Sequence, residues 1–238
     1  DYMVRGYQPD TDRDIVFIPV GINYDRTLED RSLLRSLDPE ADKPSRWYVF
    51  KTTGLFISKS IKLMVLSRWR KFGYACVNFG SFISLHEYCR ELGIDFSRMN
   101  RRERFRAVEM LSNKLMEGIT AVIPVLPIPL VASVFHENPG SSLTAFEVEE
   151  RVNGLIADIQ AKGAPIFIST RSRVQNLVTA LNMLRLRRLI TESNNEYEAD
   201  PEMVAVLDYY ANSIAHWRPD SNSNTTKDHG LTRTKFKK

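Results

Sequence analysis

Acid is missing from one long stretch of this 238-residue chain: no aspartate or glutamate occurs between Asp42 and Glu87. That window carries Lys43, Arg46, Lys51, Lys59, Lys62, Arg68, Arg70 and Lys71, and the tail from Pro219 adds five more basic residues against two acids. With a net charge of only +4, the remainder is therefore net acidic, and a general electrostatic footprint for nucleic acid is absent. Cysteine is scarce. Cys76 and Cys89 cannot build a disulfide framework or a four-thiolate zinc site, so a reducing compartment is expected. No two of the histidines (His86, His136, His216, His229) stand four apart, so metal-ligand spacing is lacking and no metal is expected. There is no glycine-rich phosphate loop after a strand and no G-x-S-x-G elbow. His86 and Glu91 lie about 140° apart on a helix and cannot cooperate on one face. No secretory apolar region follows the first residue, which is Asp rather than Met, and a piece of a larger protein is expected.

What is present reads as α/β followed by α. Residues 14–24 (DIVFIPVGINY) form a β-branched, nearly continuous apolar run, expected as a strand buried on both faces of a parallel sheet. Thr27 is a candidate N-cap for a helix to Leu37. Residues 74–80 (YACVNFG) predict a second short buried strand, and Ser84 with Glu87 is a capping-box pattern for a helix to Leu92. Beyond Gly93, Phe105, Val108, Leu111, Leu115 and Met116 are spaced for one face of a helix over 101–118. Val148, Val152, Leu155, Ile156 and Ile159 repeat that spacing in a helix opened by Ser142 or Thr144. Residues 174–189 and 201–217 predict two more helices. The expected division is 1–93 as an α/β unit, 94–217 as a helical unit and 218–238 as a disordered basic tail.

Three stretches invite a functional reading. Residues 118–135 hold no charge, but Pro124, Pro127 and Pro129 interrupt the helix a membrane span needs. A buried turn between helices is expected there, with a monotopic lipid-facing patch as the alternative. Residues 55–71 alternate large apolar side chains with Lys59, Lys62, Arg68, Arg70 and Lys71, a composition suited to an anionic membrane surface, to coenzyme A phosphates or to an acidic carrier protein. Around residues 174–200, helix, turn, helix and short hairpin make a winged-helix pattern. A nucleic-acid-binding module follows as an alternative function, opposed by Glu192, Glu196, Glu198 and Asp200, which repel phosphate. A non-catalytic membrane-peripheral interaction domain is a third reading.

The segments IPVGINYDR (18–26), YACVNFG (74–80) and YYANSIAH (209–216), in that order, resemble the C-terminal part of the bacterial glycerol-3-phosphate 1-O-acyltransferase family. The resemblance implies an acyltransferase α/β core ending in a helical domain. It also implies transfer of an acyl group from acyl-coenzyme A or acyl carrier protein to the sn-1 hydroxyl of glycerol 3-phosphate, at the cytoplasmic face of the bacterial inner membrane. No bound cofactor is implied. The family's His-x4-Asp pair, which activates the hydroxyl, and its arginine-bearing phosphate motifs are not found here, so the base and phosphate clamps are expected upstream, in the same enzyme. What this chain is expected to supply is the rim of the acceptor pocket, from Pro19, Gly21, Ile22, Asn23 and Tyr24. Nucleic acid is not an expected partner. Where relatives place proline soon after VNFG, this chain has Ser81 and Phe82.

Overall fold

The computed structural model describes residues 2–27, 73–168 and 173–218, together with Asp30 and Leu34. The basic stretch with Lys59, Lys62, Arg68, Arg70 and Lys71, most of the helix expected over 27–37, and residues 219–238 lie outside them.

Mixed α/β structure results, but its strands pair differently from the expectation. β1 (Val16–Phe17) and β2 (Val20–Tyr24) run antiparallel to β4 (Ile83–Ser84) and β3 (Ala75–Phe79) respectively, giving one narrow two-stranded ribbon in two pieces. Val20 faces Phe79 while Phe17 faces Ile83, so one strand takes three steps where the other takes four. The extra residue is a bulge at Gly80–Ser81, set against Pro19, which has no N–H to give; Gly80 donates to the Pro19 carbonyl at 2.9 Å. Nor are the strands buried on both faces. Along β2 burial alternates, with Gly21 and Asn23 inward and Val20, Ile22 and Tyr24 outward. The continuous apolar run concealed this alternation, because its outward residues are as apolar as its inward ones.

Ser84 caps α1 (Leu85–Leu92), accepting from the Glu87 N–H at 3.0 Å. The acid that completes the arrangement is Asp14 rather than Glu87: its carboxylate accepts from the Ser84 hydroxyl at 2.7 Å and the His86 N–H at 2.9 Å. Gly93, at φ +64°, ends the helix by donating to the Cys89 carbonyl. α2 (Arg101–Thr120) opens with a full capping box between Asn100 and Glu103. Its buried positions are Arg104, Ala107 and Leu111, while Phe105 and Met116 are exposed, so the buried face is rotated from the expected stripe. Here Ile94, Met99, Val108 and Leu115 pack with α1 and Tyr7, and this cluster fixes the rotation.

The uncharged stretch resolves into a turn and then α3 (Pro127–Glu137), whose residues 127–135 are all buried. Pro127 and Pro129 do not break it. They sit in its first turn, where backbone N–H groups have no intrahelical partner. Around α3 pack α4 (Ala145–Ala161), α5 (Arg173–Leu186) and α6 (Val204–Asn212). α4 buries the stripe read from sequence, Val148, Val152, Leu155, Ile156 and Ile159, and Thr144 is its N-cap in a capping box with Glu147. The last expected helix is shorter, with α6 bounded by 3-10 turns at Pro201–Met203 and Ala215–Trp217. Among the described residues no helix is long and apolar enough to cross a membrane.

Strands β5 (Leu143–Thr144), β6 (Ile190–Ser193) and β7 (Glu196–Ala199) form a sheet in the order β5–β7–β6. With α3, α4 and α5 this is the connectivity of a winged helix. Its chemistry is not that of a phosphate reader. The outward side of α5 shows Val174, Gln175, Val178, Thr179 and Leu186, its exposed Arg185 is paired with Glu192, and the hairpin also carries Glu196 and Glu198. Among the described residues the connectivity alone favours the nucleic-acid reading, and the charge of the hairpin opposes it.

Gly21 sets the distance between ribbon and helices. A Cβ there would lie 2.4 Å from the Val122 carbonyl oxygen and 2.8 Å from the Ile123 nitrogen, both backbone. Gly21→Ala is expected to destabilise the chain by about 1–3 kcal/mol, the range for overpacking. A urea midpoint equal to that of the unaltered chain would contradict this contact.

Candidate functional site

Three stretches far apart in sequence meet where β2 ends. Alternation turns Asn23 and Asp25 inward. Asn23 donates from Nδ2 to the Pro124 carbonyl at 2.8 Å and to the Ser213 hydroxyl at 3.3 Å, and its Oδ1 accepts from the Tyr24 N–H. Asp25 Oδ1 accepts from the Ile128 N–H at 3.1 Å, and Oδ2 from the Tyr74 N–H at 3.0 Å. Since Leu126 offers α3 no side-chain cap, the carboxylate of Asp25 meets the positive end of that helix from another part of the chain. Burial pushes the Asp25 carboxyl above the ordinary carboxylate range, and the two N–H bonds pull it only part of the way back. Gly73 is tied to the same spot: a Cβ on it would fall 2.4 Å from the Asp25 Cβ, and its φ is +77°.

Next to this joint lies Tyr210, whose hydroxyl uses its full capacity. It donates to Asp30 at 2.5 Å and accepts from the Thr27 N–H at 3.0 Å and from Arg187 at 2.9 Å. Arg187 also pairs directly with Asp30. Burial, then the bond to Asp30, push the Tyr210 phenol up to about 12, so it remains a donor through the alkaline range. Arg26, half-buried beside Arg187, is brought below the ordinary arginine range by burial and by that neighbour. The hydroxyl of Tyr209 stands 3.4 Å from that of Thr27.

Between β2 and α6 runs a groove of about 670 Å³, lined by Ile22, Asn23, Tyr24 and Thr27 on one side and by Asp208, Tyr209, Asn212 and Ser213 on the other. Its wall is apolar with convergent amide, hydroxyl and carboxylate groups, as small-molecule sites are. Of the residues singled out from sequence, Ile22, Asn23 and Tyr24 border it. Gly21 faces the helices instead, under Val122, and the Pro19 ring packs against Gly80 and Gly118 beside the bulge. The five basic residues lie outside the described chain. Sequence reasoning passed over Asp25, Asp30, Arg187 and Tyr210 as partners, and also His136, whose Nδ1 is 2.5 Å from Asp208 at the groove's far side. An acid directly after an apolar strand was a usable signal for Asp25; nothing local could have joined Asp30 to Tyr210.

Comparison with known proteins gives a consistent result. Residues 61–218 match the family described as glycerol-3-phosphate acyltransferase C-terminal region. A glycerol-3-phosphate acyltransferase of Glaesserella parasuis is 26% identical over 216 residues, covering 86% of this chain and 25% of its own length. One from Pseudomonas fluorescens is 24% identical over 230 residues, covering 90% and 25%, and one from Xylella fastidiosa 23% over 215, covering 86% and 23%. The chain thus spans about a quarter of the length of these curated relatives.

Removing the Tyr210 hydroxyl by Tyr210→Phe is expected to lower unfolding free energy by about 2 kcal/mol, because it strips a bond from buried Asp30. Tyr209→Phe, losing a long bond, should cost less than about 0.5 kcal/mol. Equal urea midpoints for the two variants would contradict the assignment of Tyr210 as the hub. For Asp25 the sign follows from its raised value in the fold. Its contribution is present below the unfolded aspartate value of about 3.9 and is lost as pH rises through the folded one. As pH rises from about 4 through that raised value, the chain should therefore lose stability relative to Asp25→Asn, and parallel stability–pH curves for the two would refute it.

Proposed function

The chain belongs to the glycerol-3-phosphate acyltransferase C-terminal region family, and from that membership we propose that it is the C-terminal quarter of an enzyme that acylates glycerol 3-phosphate. In the reaction, the sn-1 hydroxyl oxygen attacks the thioester carbonyl of acyl-coenzyme A or acyl carrier protein. A carbon–oxygen bond forms, the carbon–sulfur bond breaks, and the hydroxyl proton leaves to a base while the thiolate is protonated to the free thiol. The base and the phosphate clamps belong to the remaining three quarters of the enzyme. The part assigned to this chain is the rim of the acceptor pocket, with Ile22, Asn23 and Tyr24 along the groove and Pro19 and Gly21 holding the strand in position. The product is a phospholipid precursor, and the enzyme works on the cytoplasmic face of the bacterial inner membrane. There Lys59, Lys62, Arg68, Arg70 and Lys71 meet anionic headgroups or the phosphates of the acyl donor.

One observation carries this reading: the segments that resemble the family in sequence are the ones that meet in space. Asn23 and Asp25 from the first, Tyr74 from the second and Tyr210 and Ser213 from the third hold one joint together. Residues selected to build one site are expected to converge in this way.

The full-length enzyme should form 1-acylglycerol 3-phosphate with acyl-coenzyme A or acyl carrier protein, and the 238-residue chain alone should form none. Tyr24→Ala in the full-length enzyme should reduce kcat/KM about tenfold, roughly 1.4 kcal/mol of transition-state binding. Turnover by the chain alone, or none by the full-length enzyme with either donor, would overturn the proposal.

A further inference from the structure

Among the described residues the ribbon has one bare face. Its even-numbered residues Val16, Ile18, Val20, Ile22 and Tyr24 all point outward, and all are apolar. Register sets Phe79 opposite Val20 and Val77 opposite Ile22 on that same side, and alternation turns Phe82 outward beyond the bulge. Every one of these side chains is between 36 and 67% exposed. Monomeric proteins rarely leave apolar patches above roughly 300–600 Å² in water, and larger ones mark a surface that something else covers. The other face already packs on the turn after α2: Gly21 lies against the Val122 backbone, and Asn78 donates to the Val122 carbonyl at 3.2 Å. Among the described residues the ribbon is thus a sheet with helices on one side only.

Resting on the reading given under Proposed function, we propose that this outer face, from Val16 to Val20 with Val77, Phe79 and Phe82 and stopping short of the groove edge at Ile22 and Tyr24, is a docking surface for an uncharged apolar helical layer, supplied by the part of the enzyme that its curated relatives have beyond the matched quarter. A strand apolar on both faces is the pattern of a sheet sandwiched between helices. The relatives supply the material, being about four times as long as the segment they share with this chain. Charge argues against two other occupants. The face carries no acid to receive the basic stretch of residues 43–71, and no lysine or arginine among its outward positions to hold anionic lipid. The ribbon also explains its own marginality, since an isolated two-stranded ribbon has too little buried area to stand unsupported.

The test uses single cysteines at Val77→Cys and Phe79→Cys, with Cys76 and Cys89 replaced by serine and alanine, in both the 238-residue chain and the full-length enzyme. Maleimide should label both positions readily in the chain and at least tenfold more slowly in the full-length enzyme, in detergent and in vesicles alike and at any protein concentration. Equal rates in the two proteins overturn the proposal. So does protection seen only with vesicles of anionic phospholipid (a lipid surface), protection that dilution removes (a second copy), or protection already complete in the isolated chain (its own residues 28–72). Should the variants fail to fold, hydroxyl-radical footprinting of the unaltered proteins reads the same comparison at Phe79 and Phe82. Acyltransferase turnover is measured alongside: an active enzyme with reactive cysteines refutes the docking surface and leaves the function standing, and an inactive enzyme with protected cysteines does the reverse.

Discussion

A buried carboxylate at the foot of a helix holds this structure in one piece. Asp25 follows the end of β2, yet its two oxygens reach the first turn of α3 and Tyr74, the residue just before β3. The helix it caps is the centre of the larger apolar cluster, with α4, α5 and α6 packed about it. Among the described residues the end of β2 is therefore tied to the start of α3 through directional bonds, while Ile15 and Phe17 pack on the smaller apolar cluster. Desolvating a carboxylate is costly, and the cost is tolerable because two N–H groups and the positive end of a helix face it. Asn23, one step further into the strand, adds a second set of bonds to the Pro124 carbonyl and Ser213, so the strand end cannot rotate about Asp25 alone.

Tyr210 extends the same principle to the far side. Its ring is buried within the helical cluster, and its hydroxyl emerges where Thr27, Asp30 and Arg187 converge. One residue thus contributes apolar area to the core and hydrogen bonds to the joint, the dual use that makes tyrosine suited to a boundary between dry and polar regions. Nearby, the pair of His136 and Asp208 ties the last turn of α3 to α6, so α3 is held at both ends by carboxylates from elsewhere in the chain.

Much of the local structure was legible in the sequence, and the reasons differ from element to element. The stripe on α4 was read correctly because five apolar residues share a 3.6-residue period with nothing to compete. The helix over residues 101–118 was also found, but its buried face was not: Phe105 and Met116 fit the stripe equally well, and only the packing of α1 and Tyr7 chooses Ala107 and Leu111 over them. The ribbon failed for a related reason. Periodicity reports burial only when the outward residues are polar, and here they are valine, isoleucine, tyrosine and phenylalanine. Of the site, the groove-lining Ile22, Asn23 and Tyr24 were reached through the family resemblance. The partners of Asp25 and Tyr210 were beyond reach, since the bonds join residues between 23 and 183 positions apart.

The capping boxes at Asn100–Glu103 and Thr144–Glu147 lie within single turns, whereas β2 must find β3 across the whole stretch from Tyr24 to Ala75. Local contacts form early and distant pairings late, because the entropy of closing a long loop is lost before any strand bond compensates for it. The helices should thus be in place while the ribbon is still a free strand and a distant partner. During synthesis β2 leaves the ribosome before β3 and before the helices it packs against. An apolar strand still lacking its β3 partner for that interval is a point at which this chain is exposed to wrong association, and at which a chaperone would matter.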